Sequence, residues 1–107
     1  MASARAYKEI ARSKGFQFYL IELLEQEAVR QGFPEKAAEL LVKQTAKGSA
    51  LLAWNSEEPA SILRQRVTSK GGTTEAALNT LVEGKFPQLF RQAISNAVKR
   101  AKKLGRG

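Results

Sequence analysis

Apolar residues recur three and four apart through almost the whole of this 107-residue chain, and no stretch alternates as a half-buried strand would. That period restricts the chain to helices packed on helices, so an all-α domain of five or six helices is expected. A short first helical segment, placed in residues 1–15, carries Tyr7, Ile10 and Ala11, with Gly15 as its break. The next helix is expected over residues 16–31, with Tyr19, Leu20, Leu23, Leu24, Glu27 and Ala28 as its stripe. Phe16, Phe18, Ile21 and Val29 widen its apolar surface beyond one face, so this helix is central in the domain or buried between subunits. Gly32 has the character of a helix C′ residue, and Pro34 and Glu35 start a further helix running to about Asn55.

That second long helix is rich in small residues: Ala46, Gly48, Ser49, Ala50 and Ala53. A glycine in a helix interior costs about 1 kcal/mol against alanine. Close approach of another helix would offset the cost, so the stretch is expected to pack tightly against a neighbour. Ser56 and Pro59 then suit the start of a short helix with Ile62, Leu63 and Val67 inward. Thr73 or Thr74 is expected to cap the following helix, with Glu75 reinforcing that end. Ala77, Leu78, Leu81 and Val82 form its stripe and Gly84 ends it. The last helix starts near Phe86-Pro87, and Phe90, Ala93, Ile94, Ala97, Val98, Ala101 and Leu104 mark its apolar face. Residues 105–107 make a basic tail. A chain this short buries only about two-thirds of its unfolded surface. The breadth of apolar surface exceeds what so thin a core covers, and an interleaved two-fold dimer is expected.

Composition removes several chemistries. There is no cysteine and no histidine, and all ten acidic residues are glutamate. Disulfides, thiol nucleophiles, a Ser-His-Asp triad and ordinary zinc or EF-hand sites are therefore excluded within this chain, and no metal is expected. No apolar run approaches 18 residues, so no membrane-spanning segment is predicted. No signal peptide is expected either, and the protein is expected to be cytoplasmic. The formal net charge is +8, and no acidic residue follows Glu83, while Lys85, Arg91, Lys99, Arg100, Lys102, Lys103 and Arg106 do. Such an end serves as a nucleic-acid footprint in some proteins, but cations also gather at helix C-termini, where the dipole favours them. The solvated-face reading is preferred, because the only nearby aromatics, Phe86 and Phe90, fit the core stripe.

One segment is unusual: Thr68-Ser69-Lys70-Gly71-Gly72-Thr73-Thr74. Two glycines give the backbone access to a ligand, four hydroxyls surround them, and a helix N-terminus offers unsatisfied N–H groups. A carboxylate or phosphate is the ligand class such a loop suits, although a plain capped turn has the same ingredients. It is no phosphate-binding Walker loop, since Lys70 precedes the glycines and no strand leads in.

The run from Arg66 to Leu78, centred on Gly71-Gly72-Thr73-Thr74, resembles the signature of pyrroline-5-carboxylate reductase, in its C-terminal helical domain. The resemblance covers residues 16–104. Ile21-Glu22 and Gly32-Phe33-Pro34 are similar to the family's first long helix and its end, and Gln44-Thr45 with Gly48 to its second. Glu58-Pro59-Ala60, Leu63-Arg64 and Gly84-Lys85-Phe86 carry it further. The family reduces 1-pyrroline-5-carboxylate to proline with NADPH or NADH, using an N-terminal nucleotide-binding domain and helical domains that interlock two subunits, sometimes into rings of dimers. The resemblance implies that Ser69, Gly71, Gly72 and Thr73 hold the substrate carboxylate. It implies that Thr74 stands near the substrate's ring nitrogen as the catalytic donor.

Two departures accompany it. No Gly-x-Gly-x-x-Gly unit follows a predicted strand, so no cofactor-binding residue is expected here and the chain alone is expected to be inactive. The stretch Ala11-Arg12-Ser13-Lys14-Gly15-Phe16 lacks the family's proline, and Lys70 stands where members often have proline. The expected function is thus the dimerisation and substrate-binding domain of such a reductase, with a weakly bound proline-like carboxylate as ligand. The alternatives are a non-enzymatic dimerising or regulatory protein derived from it, or a basic helical nucleic-acid binder using Lys99, Arg100, Lys102 and Lys103.

Overall fold

The computed structural model describes residues 8, 10 and 12–105. Five helices are described: α1 Lys14–Arg30, α2 Glu35–Asn55, α3 Ala60–Arg66, α4 Thr73–Glu83 and α5 Phe86–Lys103. No strand occurs among the described residues, and the fold is all-α. None of the described helices is long and apolar enough to cross a membrane. Tyr7 and Ala11, assigned to the first helical segment, lie outside the described residues, as do the last two residues of the basic tail.

The chain forms two compact units. The first, Lys14–Gln65, is a hairpin in which α1 packs against α2. Gly15 is not a break, since it lies in the first turn of α1, which begins at Lys14. The chain turns instead at Arg12 and Ser13, where Ser13 N–H bonds the Ile10 carbonyl at 3.1 Å. The C-terminus of α1 is closed as its sequence suggests. Gly32 has φ 109°, its N–H donates to the Val29 carbonyl at 2.9 Å, and Phe33 N–H donates to the Ala28 carbonyl at 3.0 Å. This is the paired hydrogen-bond pattern of a Schellman cap, and its positive φ favours glycine.

Only Ala38 and Val42 of this hairpin are buried among the described residues, both on α2. On α1, Ile21, Glu25 and Ala28, spaced four and three apart, are half-buried. The stripe expected from Tyr19, Leu20, Leu23 and Leu24 is exposed instead, with Leu24 at 59%. A helix apolar on more than one side does not reveal by period which face its neighbour covers. Glu27, the odd member of that stripe, accepts from Arg30 Nε at 2.9 Å and Nη2 at 2.5 Å, and from Gln31 Nε2 at 2.9 Å. Ser56 does not cap α3; its Oγ accepts from Glu58 N–H at 3.0 Å in the preceding turn, and the Pro59 carbonyl accepts from Ile62 and Leu63. Ile62 and Leu63 are half-buried, whereas Val67 is exposed rather than inward.

The second unit contains the described residues from Arg66 onward and those before Lys14. Here α4 packs against α5. The inward face of α5 is the one read from the sequence: Ala101 is buried and Ala93, Ile94, Ala97 and Val98 are half-buried. Phe90 and Leu104, at the two ends of that stripe, are exposed. Phe86 and Phe90 meet at 6.0 Å between ring centroids, tilted by 48°, one turn apart at the helix start.

Candidate functional site

The loop between α3 and α4 is built by its two glycines. Gly72 N–H donates to the Ser69 carbonyl at 2.9 Å, closing a four-residue turn over residues 69–72. Gly71 sits third in that turn with φ 75°, the positive value that a type II turn requires there. Gly72 contributes differently, by close approach. A Cβ at that position would lie 3.1 Å from the Ser69 carbonyl oxygen and 3.2 Å from Ser69 Cβ. Lys70 occupies the second turn position, the one that proline pre-sets.

The turn delivers the chain into α4, whose first residue is Thr73 and whose N-cap is Gly72, in extended conformation with ψ −178°. Neither Thr73 nor Thr74 is the cap, and no side-chain cap hydrogen bond is made. Glu75 supplies the closure instead. Its Oε1 accepts from Gly71 N–H at 3.0 Å, reaching back four residues from the third helical position. A glutamate three residues after the cap is a sequence signal for such a reach-back contact. The Gly72 carbonyl begins the helical ladder by accepting from Ala76 N–H.

The site residues expected from the sequence therefore come together, in two kinds. The N–H groups of Gly71 and Gly72 are engaged within the loop, so the glycines shape it. The N–H groups of Thr73, Thr74 and Glu75, in the first turn of α4, have no intrahelical acceptor. The hydroxyls of Ser69, Thr73 and Thr74 belong to exposed residues, and Gly72 is half-buried. A shallow, hydroxyl-rimmed helix start of this kind favours an anion such as a carboxylate. Among the described residues, no group of three or more acidic side chains is arranged to hold a metal ion.

The hairpin unit carries a second feature, an apolar groove of about 530 Å³ on one flank of the α1–α2 contact, lined by Leu24, Ala28, Phe33, Leu41, Val42 and Ala46. It continues into the small-residue stretch at Ser49. Gly48 has open space around it: a Cβ there meets nothing within 4 Å. The tight neighbour expected at Gly48 is not supplied by the described residues.

The family pattern described as pyrroline-5-carboxylate reductase dimerisation matches residues 10–104. A pyrroline-5-carboxylate reductase from Vibrio alginolyticus is 42% identical over 88 residues, which are 81% of this chain and 32% of that protein. One from Arabidopsis thaliana is 34% identical over 87 residues, with the same coverage of both chains. The chain thus spans about a third of the length of these curated relatives. Among solved structures, a pyrroline-5-carboxylate reductase from Coxiella burnetii superposes with a TM-score of 0.86 at 38% identity, covering 97% of this chain and 40% of that one. The Plasmodium falciparum pyrroline carboxylate reductase, solved with NADP bound, gives 0.87 at 26% identity, covering 94% of this chain and 40% of that one. An all-helical chain with the glycine–threonine loop at the head of α4, matched by that pattern over nearly its whole length, belongs to the pyrroline-5-carboxylate reductase dimerisation family.

Proposed function

We propose that this chain is the assembly and substrate-side domain of a pyrroline-5-carboxylate reductase and works as a homodimer. The observation that carries the reading is the apolar helix surface left uncovered. Phe18, Tyr19 and Leu24 of α1 and Leu40, Leu52 and Trp54 of α2 are all exposed, Trp54 at 85%. Contiguous apolar surface of this extent on a single helical hairpin is what an obligate interface covers.

The loop at the head of α4 is the substrate contact in this reading. Ser69, Thr73 and Thr74 offer hydroxyls and the first turn of α4 offers N–H groups to the ligand carboxylate, while Gly71 and Gly72 shape the turn that presents them. The Thr74 hydroxyl is the donor to the ring nitrogen of the pyrroline. The residues of this chain do not suit a dinucleotide. The only paired glycines lie in a closed turn whose own N–H groups are engaged, and no strand among the described residues leads into them. NADPH or NADH is therefore assigned to residues outside this chain.

Two measurements test the proposal. Sedimentation equilibrium at micromolar concentration should return twice 11.8 kDa or a multiple. Amide resonances of residues 68–75 should shift at millimolar proline or pyrrole-2-carboxylate, and T74V should diminish the response. A monomer removes the assembly role; a dimer whose loop ignores both ligands removes the substrate role and leaves assembly alone.

A further inference from the structure

The other flank of the α1–α2 hairpin holds a groove that neither the carboxylate loop nor the apolar faces account for. It encloses about 570 Å³ and is lined by Glu22 and Glu25 of α1 and Glu35 and Glu39 of α2, with Val29 and Ala38 beside them. Ala38 is buried, Glu25 and Glu39 are half-buried, and Glu22 and Glu35 are exposed. Among the described residues, none of the four carboxylates makes a side-chain hydrogen bond or ion pair. They are not arranged to hold a metal ion. A carboxylate rim around an aliphatic floor instead suits lysine or arginine, whose methylene stem lies on apolar surface while its head stays polar.

The chain itself carries such a cationic element. Residues 66–107 contain nine basic residues and two glutamates, whereas residues 14–65 contain six basic residues and seven glutamates. The excess gathers at the end of α5. Lys99, Lys102 and Lys103 stand three and four apart on one face with Arg100 beside them, and all four are exposed. The face of α5 that its own unit covers is the other one, through Ala93, Ala97 and Ala101. None of the four cations has an ion-pair partner among the described residues.

We infer that the acidic groove between α1 and α2 receives the basic end of α5 from a second copy of the chain. Two-fold symmetry makes the contact twice, with each copy giving one groove and one helix end. The inference rests on the homodimer reading and adds which elements meet. Complementary charge of this kind selects partner and register more than it adds affinity, which suits an interface whose apolar surfaces are otherwise indiscriminate.

Charge reversal in the full 107-residue chain tests the contact. E25K/E39K and K99E/K102E, made separately, should each raise the dimer Kd by about tenfold at roughly 0.05 M salt. Combined in one chain, the four substitutions should restore it to within about threefold of the parent, because both partners of the contact have changed sign. The single-set effects should shrink at about 0.5 M salt. Reversals that leave Kd within about twofold, or a combined variant no tighter than the weaker set, overturn the groove contact while the homodimer stands. A parent chain that sediments as a monomer overturns the homodimer reading itself. If circular dichroism shows that E25K/E39K has lost helix, E25Q/E39Q replaces it. That variant should weaken the dimer by about threefold and flatten its salt dependence, and an unchanged salt dependence again refutes the contact.

Discussion

Lys85 has φ 62° and ψ 35° and serves as the N-cap of α5, between the cap of α4 at Gly84 and the first helical residue Phe86. It is the non-glycine residue with positive φ among those described. Its N–H bonds the Val82 carbonyl at 3.0 Å and its carbonyl accepts from Leu89 N–H, so both helix ends hold it there. A left-handed conformation costs an L-residue with a Cβ roughly 1–2 kcal/mol, and glycine avoids that cost while losing more backbone entropy on folding. K85G is therefore expected to stabilise the fold by about 0.5–1 kcal/mol, read as a rise in the midpoint of urea unfolding with an unchanged slope. Glu27 is the other residue with a distinct expectation. Hydrogen bonds from Arg30 and then Gln31 lower its carboxyl from an ordinary 4.5 to about 2. A folded-state value below the unfolded one adds stability that is present above pH 4.5 and lost as pH falls through about 2. The group is exposed, so the effect is local. The ¹³C carboxyl resonance of Glu27 should titrate near 2, and R30Q should move that midpoint upward.

At the scale of the element, α2 poses the clearest question. It runs for 21 residues, Glu35–Asn55, and only its first half, through Ala38 and Val42, meets α1 in a buried contact. Beyond lie Gly48, Leu51, Leu52 and Trp54, all exposed. Among the described residues a Cβ on Gly48 meets nothing within 4 Å, so G48L judged on these contacts alone should gain about 1 kcal/mol from helix propensity. If the same face closes against a second copy, overpacking costs about 1–3 kcal/mol and reverses the sign. We expect the reversal: G48L should unfold at a lower temperature than the parent and shift the monomer–dimer balance toward monomer. A more stable variant that remains dimeric would show that Gly48 is away from the interface. The last helix behaves differently. Its buried face was readable from spacing alone, because α5 is apolar on one side and basic on the other, and such a helix has one way to face its neighbour.

At the scale of the whole molecule, a fold with three buried apolar residues among those described and many exposed leucines is expected to draw stability from a partner. The unfolding temperature should therefore rise with protein concentration, measured calorimetrically across about a hundredfold range; a constant value would identify a self-sufficient monomer. The all-α class, the order of the helices, the Gly32 cap and the inward face of α5 were legible in the sequence, since each rests on local chemistry: period, φ preference and amphipathic contrast. The glycine–threonine loop was legible as a cluster of residue types, and its family followed from Gly71-Gly72-Thr73-Thr74 in that helical frame. The division of labour inside the loop was not. That Gly72 is the cap, that Glu75 holds Gly71, and that a Cβ on Gly72 would crowd Ser69 are consequences of a turn closing in three dimensions. Nor did the sequence reveal which side of α1 meets α2, because a helix apolar on more than one side has no single preferred face until a particular neighbour covers one. Local sequence thus determined the helices and ends such as those at Gly32 and Gly84, where a residue's own conformational and hydrogen-bonding preferences suffice. Tertiary structure decided which faces are covered and which donors stay open, because those depend on atoms brought together from distant parts of the chain.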